Sequence, residues 1–131
     1  MVEIPLPKHH SPGFLAVVED AKSRIEEVSV EETQAAMKNG SARLIDVRED
    51  HEWDAAHISG AEHLGKGIIE RDIETFAPDK SAELILYCGG GFRAALAADV
   101  LQKMGYTNVK SMAGGWRGWL EAGGPIEEKE S

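Results

Sequence analysis

The residues with the clearest capacity for chemistry begin at Cys88, the single cysteine of the chain, and end five positions later at Arg93. Between them lie three glycines and Phe92, and the segment joins an apolar run over 83–87 to a helical pattern over 92–104. The first amides of a helix lack partners within the helix and carry partial positive charge. We expect them to face Cys88, favour its thiolate over its thiol and make the sulfur a nucleophile.

The three glycines are Gly89, Gly90 and Gly91, and their lack of Cβ atoms allows the loop to curl closely around a small anion. Arg93 adds a permanent cation, which either contacts substrate or braces the loop through an ion pair. A purely structural interpretation makes Cys88 a small buried hydrophobic residue at the end of a strand. Three successive glycines carry an entropic cost that an ordinary turn does not require, and this cost favours a functional loop.

The composition is that of an ordinary globular protein, with 42% hydrophobic and 28% charged residues in a chain of 131. The formal net charge is −9 and the basic residues are scattered, so we expect neither a nucleic acid nor a membrane as a partner. No apolar stretch has the length of a signal-peptide core or a membrane span. A single cysteine excludes an internal disulfide and suits a reducing compartment, so the expected location is the cytoplasm.

Helical and strand patterns alternate along the chain. Ser11 and Pro12 begin an amphipathic helix that is predicted to continue to Val28, and Ser29 with Glu32 forms a capping box for a second helix. Apolar runs predict strands near 42–47, 61–64, 83–87 and 108–112, and further helical patterns lie near 68–76, 92–104 and 116–120. The connections are too long for hairpins, which predicts an α/β fold with a mostly parallel sheet covered by helices on both faces. The loops expected at the carboxyl ends of the strands, where ligands gather, are 48–52, 88–92 and 113–115.

Three separated motifs carry a family resemblance. The first is Asp46-Val47-Arg48 with Glu52-Trp53 and His57-Ile58-Ser59-Gly60-Ala61, the second is Cys88-Gly89-Gly90-Gly91-Phe92-Arg93, and the third is Gly114-Gly115-Trp116 with Gly124-Pro125. In this order and spacing they resemble the motifs of the rhodanese-like sulfurtransferases, specifically their single-domain bacterial members. The resemblance covers about residues 28–125. Residues 1–27 are then an N-terminal leader and amphipathic helix, and residues 126–131 are a solvated tail.

The resemblance implies a three-layer sandwich with a five-stranded sheet and a double-displacement reaction. In that reaction Cys88 takes the outer sulfur of a donor, thiosulfate or another persulfide source, and passes it to cyanide or a thiol. The resemblance also implies that amides from Gly89 to Arg93 cradle the persulfide, that Asp46 and Arg48 brace the core, and that no cofactor is needed. Because the chain has no second cysteine, the acceptor is expected from outside, as glutathione, thioredoxin or a protein cysteine.

Several alternatives stay open. Family members that favour thiosulfate often carry a basic residue where this chain has Gly89, so the donor is undecided. A non-catalytic module that carries or senses sulfur for one protein partner would use the same loop. A phosphatase or arsenate reductase would need more than the four residues that separate Cys88 from Arg93. The N-terminal helix has an apolar stripe that packs either on its own domain, which we favour, or on a partner.

A metal site is not expected. The candidate ligands His51, His57 and His63 are spaced by six residues, a separation that suits neither one face of a helix nor one face of a strand. No second cysteine or carboxylate cluster completes a zinc site with them.

Overall fold

A parallel five-stranded sheet forms the centre of the fold in the computed structural model, which describes residues 2–6 and 9–129. The strands are β1 (Glu26–Val28), β2 (Ala42–Asp46), β3 (Ala56–Ile58), β4 (Glu62–His63), β5 (Glu83–Tyr87), β6 (Val109–Met112) and β7 (Ile126–Glu128). The central sheet has the order β1-β6-β5-β2-β4, and every neighbouring pair is parallel. The predicted α/β fold with a mostly parallel five-stranded sheet is confirmed.

Helices cover both faces of this sheet. They are α1 (Pro12–Lys22), α2 (Val30–Lys38), α3 (Asp50–Ala55), α4 (Ile69–Phe76), α5 (Phe92–Lys103) and α6 (Gly115–Glu121). Because successive strand residues point to opposite faces, Ile45 of β2 packs on the side of α4 and α5, while its neighbour Leu44 packs on the side of α2 and α6. Both side chains are almost completely buried, and each such burial contributes about 1.5–3 kcal/mol.

Helix α1 packs on its own domain, as favoured from the sequence. Val18 and Ala21 are buried against α5, and Arg24 donates from Nε to Asp99 Oδ1 over 2.9 Å and from Nη2 to Asp99 Oδ2 over 2.8 Å. The helix ends at Lys22, so the prediction that it continues to Val28 is wrong. Residues 26–28 instead pair with β6, which satisfies their backbone groups within the sheet. The predicted boundary between residues 27 and 28 therefore falls inside a strand.

The C-terminal segment also differs from the prediction. Residues 126–128 form β7, which pairs antiparallel with β3 in the register Ala56 to Glu128 and Ile58 to Ile126. The prediction of a solvated tail is therefore wrong for these residues, although the side chains of Glu127 and Glu128 are exposed. A strand that is held mainly through its backbone leaves little trace in its apolar pattern. Residues 130 and 131 of the predicted tail lie outside the described residues.

The N-terminal leader runs beside the sheet without regular secondary structure in its described part, residues 2–6 and 9–10. Met1, Pro7 and Lys8 lie outside the described residues. Within the part of the chain that the structure describes, every helix is too short or too polar to cross a bilayer.

Candidate active site

Three loops meet at the carboxyl edge of the sheet, where the sequence placed the site. Cys88 follows β5 directly, and the loop after β6 leads into α6 beside it. The Trp116 amide donates to the Cys88 carbonyl over 2.7 Å, and the Arg117 amide donates to the Gly89 carbonyl over 3.1 Å. The contact is so close that a Cβ on Gly115 would collide with the Cys88 carbonyl oxygen. The start of α6 therefore holds the cysteine loop in place.

The Cys88 sulfur accepts two backbone hydrogen bonds. The Gly91 amide donates over 3.2 Å and the Ala94 amide over 3.3 Å. Ala94 lies three residues after the N-cap of α5, at the position where a capping side chain normally accepts, so the sulfur acts as the cap. The donors predicted from the sequence ended at Arg93 and did not include Ala94. Counting three residues from the N-cap at Gly91 would have identified the Ala94 amide as a donor.

Four further amides of the same segment have no hydrogen-bond partner in the part of the chain that the structure describes. They are the amides of Gly89, Gly90, Phe92 and Arg93. The last two belong to the first turn of α5, where amides lack helical partners. Together with the positive end of the helix, these donors make the start of α5 a favourable position for an anion.

The three glycines are not equivalent. Gly91 has a φ of 101°, a left-handed conformation that costs an L-residue about 1–2 kcal/mol, whereas Gly89 and Gly90 have no positive φ. A Cβ on Gly89 would lie 3.2 Å from Arg93 Nη2, and one on Gly90 would make ordinary contact with the Phe92 ring. Of the three glycines, Gly91 is the one whose backbone conformation disfavours a side chain, whereas at Gly89 a Cβ would crowd Arg93.

Arg93 is paired with Glu52, which lies in the first turn of α3, the helix that follows β2. Its Nη1 donates to Glu52 Oε1 over 2.8 Å and its Nη2 donates to Oε2 over 3.2 Å. The pair bridges the first turns of α3 and α5, the helices that follow the adjacent parallel strands β2 and β5. Of the two roles considered for Arg93, this geometry is that of a brace, although the residue also borders the cavity.

Glu52 is held in its charged form by this arrangement. Partial burial alone raises its pKa, but the hydrogen bonds from Arg93 and from the Glu49 amide outweigh burial and lower the pKa of Glu52 to about 2. The hydrogen bonds to Glu52 raise the pKa of Arg93 and outweigh burial, which lowers it, so the pKa stays above its ordinary value. The loop is therefore braced by a charged pair at neutral pH.

We expect this pair to make stability depend on pH in the acid range. A carboxylate with a depressed folded-state pKa contributes stability above its unfolded pKa, here 4.5, and loses it as the pH falls towards about 2. Glu52→Gln should therefore be less stable than wild type at pH 7 by about 1–3 kcal/mol. Urea unfolding at a series of pH values should show that the difference in the free energy of unfolding between wild type and Glu52→Gln becomes smaller as the pH falls from 4.5 to about 2. A difference that stays constant over this range would contradict the assignment.

Asp46 and Arg48 form a second, fully buried pair behind the loop. Arg48 Nη2 donates to Asp46 Oδ2 over 2.8 Å and its Nε lies 3.1 Å from both carboxylate oxygens, while the Arg48 amide donates to Oδ1 over 2.8 Å. Arg48 Nη2 also donates to the Ala56 carbonyl over 2.7 Å, and its guanidinium stacks 4.6 Å from the Trp116 ring centroid. The pair thus joins β2, β3 and the start of α6.

The buried pair also affects its neighbours. Burial lowers the pKa of Arg48, but the hydrogen bonds and charge of Asp46 outweigh burial and leave it above its ordinary value. Burial, reinforced by the Asp46 charge, raises the pKa of Tyr87 far above its ordinary value. The Tyr87 hydroxyl is therefore neutral and accepts from the Ile58 amide over 3.1 Å. These groups fix the positions of surrounding strands and do not face the cysteine loop.

A cavity of about 610 Å³ opens above Cys88. Its lining combines the cysteine loop, α6 and the N-terminal segment, with Cys88 at the floor although only 1% of that residue is exposed. The volume lies within the range usual for small-molecule sites. The sequence analysis did not assign the N-terminal segment to the site.

The three histidines considered as metal ligands are used elsewhere. Trp53 stacks on His57 with ring centroids 3.5 Å apart and on His63 with centroids 5.0 Å apart. His57 Nδ1 lies 2.9 Å from the Trp53 carbonyl oxygen, and His63 Nε2 lies 2.9 Å from the Arg48 carbonyl oxygen. His51 is exposed and takes no part in the stack. Among the described residues, no group of three or more metal-binding side chains converges.

Comparison with known proteins identifies the family. The model of the rhodanese-like domain matches residues 29–122. Thiosulfate:glutathione sulfurtransferase of Homo sapiens is 32% identical over 106 residues, which cover 72% of this chain and 92% of that protein. The putative sulfur carrier protein YrkF of Bacillus subtilis is 32% identical over 98 residues, which cover 74% of this chain and 52% of that protein. This chain therefore spans about half the length of that second relative.

A solved structure agrees with this assignment. RPA3614 from Rhodopseudomonas palustris, described as a protein of unknown function and possible tyrosine phosphatase, superposes with a TM-score of 0.78 at 32% identity. The match covers 94% of this chain and all of that one. The family match over residues 29–122 contains four of the five strands of the central sheet, the cysteine loop and both ion pairs, and on these grounds the chain belongs to the rhodanese-like domain family.

Proposed function

We propose that this chain is a sulfurtransferase that carries sulfane sulfur on Cys88 as a persulfide. The observation that carries the proposal is that two backbone amides at the start of α5 donate to the sulfur of the single cysteine. Gly91 and Ala94 already donate to Sγ, and the amides of Gly89, Gly90, Phe92 and Arg93 have no protein partner in the described chain. A persulfide moves the single negative charge from Sγ to an added outer sulfur, and amide donors without a protein partner can stabilise it there.

The reaction follows from the nucleophile and its surroundings. The Cys88 thiolate attacks the outer sulfur of a donor, the bond from that sulfur to the rest of the donor breaks, and its electron pair leaves with the donor remainder, such as sulfite from thiosulfate. The acceptor thiolate or cyanide then attacks the outer sulfur of the persulfide and releases the Cys88 thiolate. Charge is conserved in both steps, and neither needs a cofactor or a redox partner. The acceptor comes from outside because Cys88 is the single cysteine.

Intact-mass measurement tests this proposal. We expect the folded chain to gain the mass of one sulfur atom after treatment with thiosulfate or glutathione persulfide, and to lose it after dithiothreitol. Peptide mapping should place the added sulfur on Cys88. A mass that stays unchanged with both donors would overturn the proposal.

A sulfur-carrier role is the second candidate function. The burial of Cys88 and the lack of a resolving cysteine both suit delivery to one protein partner, and YrkF is a putative sulfur carrier. Slow turnover with glutathione and thioredoxin, combined with stable loading of Cys88, would favour the carrier over the enzyme. In either role the free thiol suits the reducing conditions of the cytoplasm, which we propose as the location.

The geometry gives less support to a phosphatase or arsenate reductase. Arg93, the cation expected to hold a phosphate, is bound to Glu52, whose carboxylate borders the same cavity. A phosphate dianion there would meet a charge of its own sign. We expect no hydrolysis of para-nitrophenyl phosphate under conditions where sulfur loads onto Cys88.

A further inference from the structure

The cavity above Cys88 has a wall that comes from outside the family match. The match begins at residue 29, but Pro5, Leu6, His10 and Phe14 line the cavity. The leader is therefore part of the site, although it lies outside the residues that match the family.

Aromatic contacts attach this wall to the cysteine loop. The His10 and Phe92 rings meet edge to face with centroids 4.7 Å apart, and Phe14 meets Phe92 in the same way at 6.2 Å. His10 and Phe14 contact each other at 5.1 Å. Such aromatic pairs contribute about 0.5–1.5 kcal/mol each beyond the area they bury. Phe92 follows the loop glycines directly, so the wall is anchored to the catalytic loop itself.

The wall makes the cavity large and mainly apolar. Phe14 and Leu6 face the space from the N-terminal side, and Trp116 borders it from α6. A volume of about 610 Å³ exceeds by far what a thiosulfate ion of a few atoms fills. Contact between apolar side chains and an inorganic dianion gives no hydrophobic stabilisation. Covering an organic group does stabilise the complex, because it removes apolar surface from water.

Beside the cysteine, the side chains that the structure describes offer little to a doubly charged inorganic ion. Gly89 and Gly90 have none, and Arg93 is neutralised by Glu52. Arg117 borders the cavity and supplies a cation for a singly charged donor. The arrangement fits a donor with one charge next to its sulfur and an apolar body on the other side.

We propose that this site prefers organic sulfur donors with an apolar body, of the thiosulfonate class, over inorganic thiosulfate, and that Phe14 determines this preference. This inference rests on the proposed function. The Cys88 thiolate attacks the outer sulfur of R–SO₂–S⁻, the bond between the two donor sulfurs breaks, and the sulfinate R–SO₂⁻ leaves with the electron pair. The apolar group R lies against Phe14, Leu6 and Trp116.

The test compares benzenethiosulfonate with thiosulfate, which differ by a phenyl ring in place of one oxygen anion. We expect the wild-type kcat/KM for sulfur transfer to cyanide to be higher with benzenethiosulfonate. In Phe14→Ala the ratio of the two kcat/KM values should fall about 3- to 10-fold, as expected for the loss of one aromatic contact. Phe14→Leu retains an apolar surface and should keep most of the ratio.

Two further variants complete the design. Leu15→Ala changes the next residue of α1, which is partly exposed and does not line the cavity, so its ratio should equal that of wild type. Leu6→Ala changes an 88% exposed side chain that does line the cavity. Leu6→Ala therefore leaves the core intact, and its ratio of kcat/KM with benzenethiosulfonate to kcat/KM with thiosulfate should fall about twofold. Leu6→Ala therefore keeps the test valid if Phe14→Ala does not fold.

The outcomes distinguish a failure of this donor preference from a failure of the proposed sulfurtransferase function. Loading of Cys88 by both donors, with a ratio that stays unchanged in the Phe14 and Leu6 variants, would overturn the preference and leave the sulfurtransferase function standing. A higher wild-type kcat/KM with thiosulfate would also overturn it. Failure of both donors to load Cys88 would overturn the function and the inference together.

Discussion

Replacing Cys88 with serine is expected to abolish sulfur uptake completely. The chain has no other cysteine, and a serine hydroxyl remains un-ionised and weakly nucleophilic without an adjacent general base. The structure provides backbone amides around this position, which stabilise an anion but cannot remove a proton. Intact mass after donor treatment should show no added sulfur in Cys88→Ser, and thiocyanate formation from cyanide should stop.

The same variant should keep its fold, which makes the loss interpretable. A serine oxygen can accept the amides of Gly91 and Ala94 as the sulfur does, so the helix cap is retained. We expect the free energy of unfolding to change by about 1 kcal/mol or less. Sulfur uptake by the serine variant would mean that the sulfur is held elsewhere. A variant that unfolds would show that the sulfur is needed for packing in the core.

The central strands of the sheet were predictable because short apolar runs in the sequence mark them. The run over 83–87 is apolar after Glu83, and the run over 42–47 is apolar except at Arg43 and Asp46, as expected for strands that are buried on both faces; the structure places both in the interior of the sheet. β1 and β7 gave no such signal. Each is three residues long and rich in glutamate, and each is held by pairing with a strand more than 60 residues away. Distant backbone pairing of this kind cannot be read from local periodicity.

The cysteine loop was predictable from the sequence, but the residues that hold it and wall the cavity were not. The position of Cys88 between a strand and a helix start placed the loop correctly, because amides at a helix start have no partners wherever that helix occurs. The partner of Arg93 was missed, since Glu52 is 41 residues away. A signal for it did exist, because both residues follow strands that are adjacent in a parallel sheet. The aromatic wall from His10 and Phe14 depends on the path of an irregular leader, which no sequence pattern specifies.

The buried pair behind the loop gives the largest expected loss of stability. Asp46→Ala leaves the Arg48 guanidinium without its carboxylate at a site where Arg48 is only 4% exposed. Removing one partner of a buried ion pair costs about 3–5 kcal/mol, because the remaining charge is both desolvated and unpaired. Urea unfolding followed by tryptophan fluorescence should show this loss.

A matched control lies on the neighbouring strand. Arg43 and Glu62 form a pair with similar two-bond geometry, at 2.8 Å for both hydrogen bonds, but their side chains are 36% and 42% exposed. Glu62→Ala should therefore cost about 0–1 kcal/mol, since exposed ion pairs contribute little. Equal losses for Asp46→Ala and Glu62→Ala would contradict the argument that burial sets the cost.

A double variant keeps the test decisive even if Asp46→Ala does not fold. Asp46→Ala combined with Arg48→Met removes both charges, and we expect it to be more stable than Asp46→Ala alone, because no charge is then buried unpaired. It should still load sulfur more slowly than wild type. Arg48 holds the Ala56 carbonyl and packs on Trp116, whose amide fixes the Cys88 carbonyl. The pair thus acts on the cysteine through the position of α6, so restoring stability alone cannot restore the rate of sulfur loading.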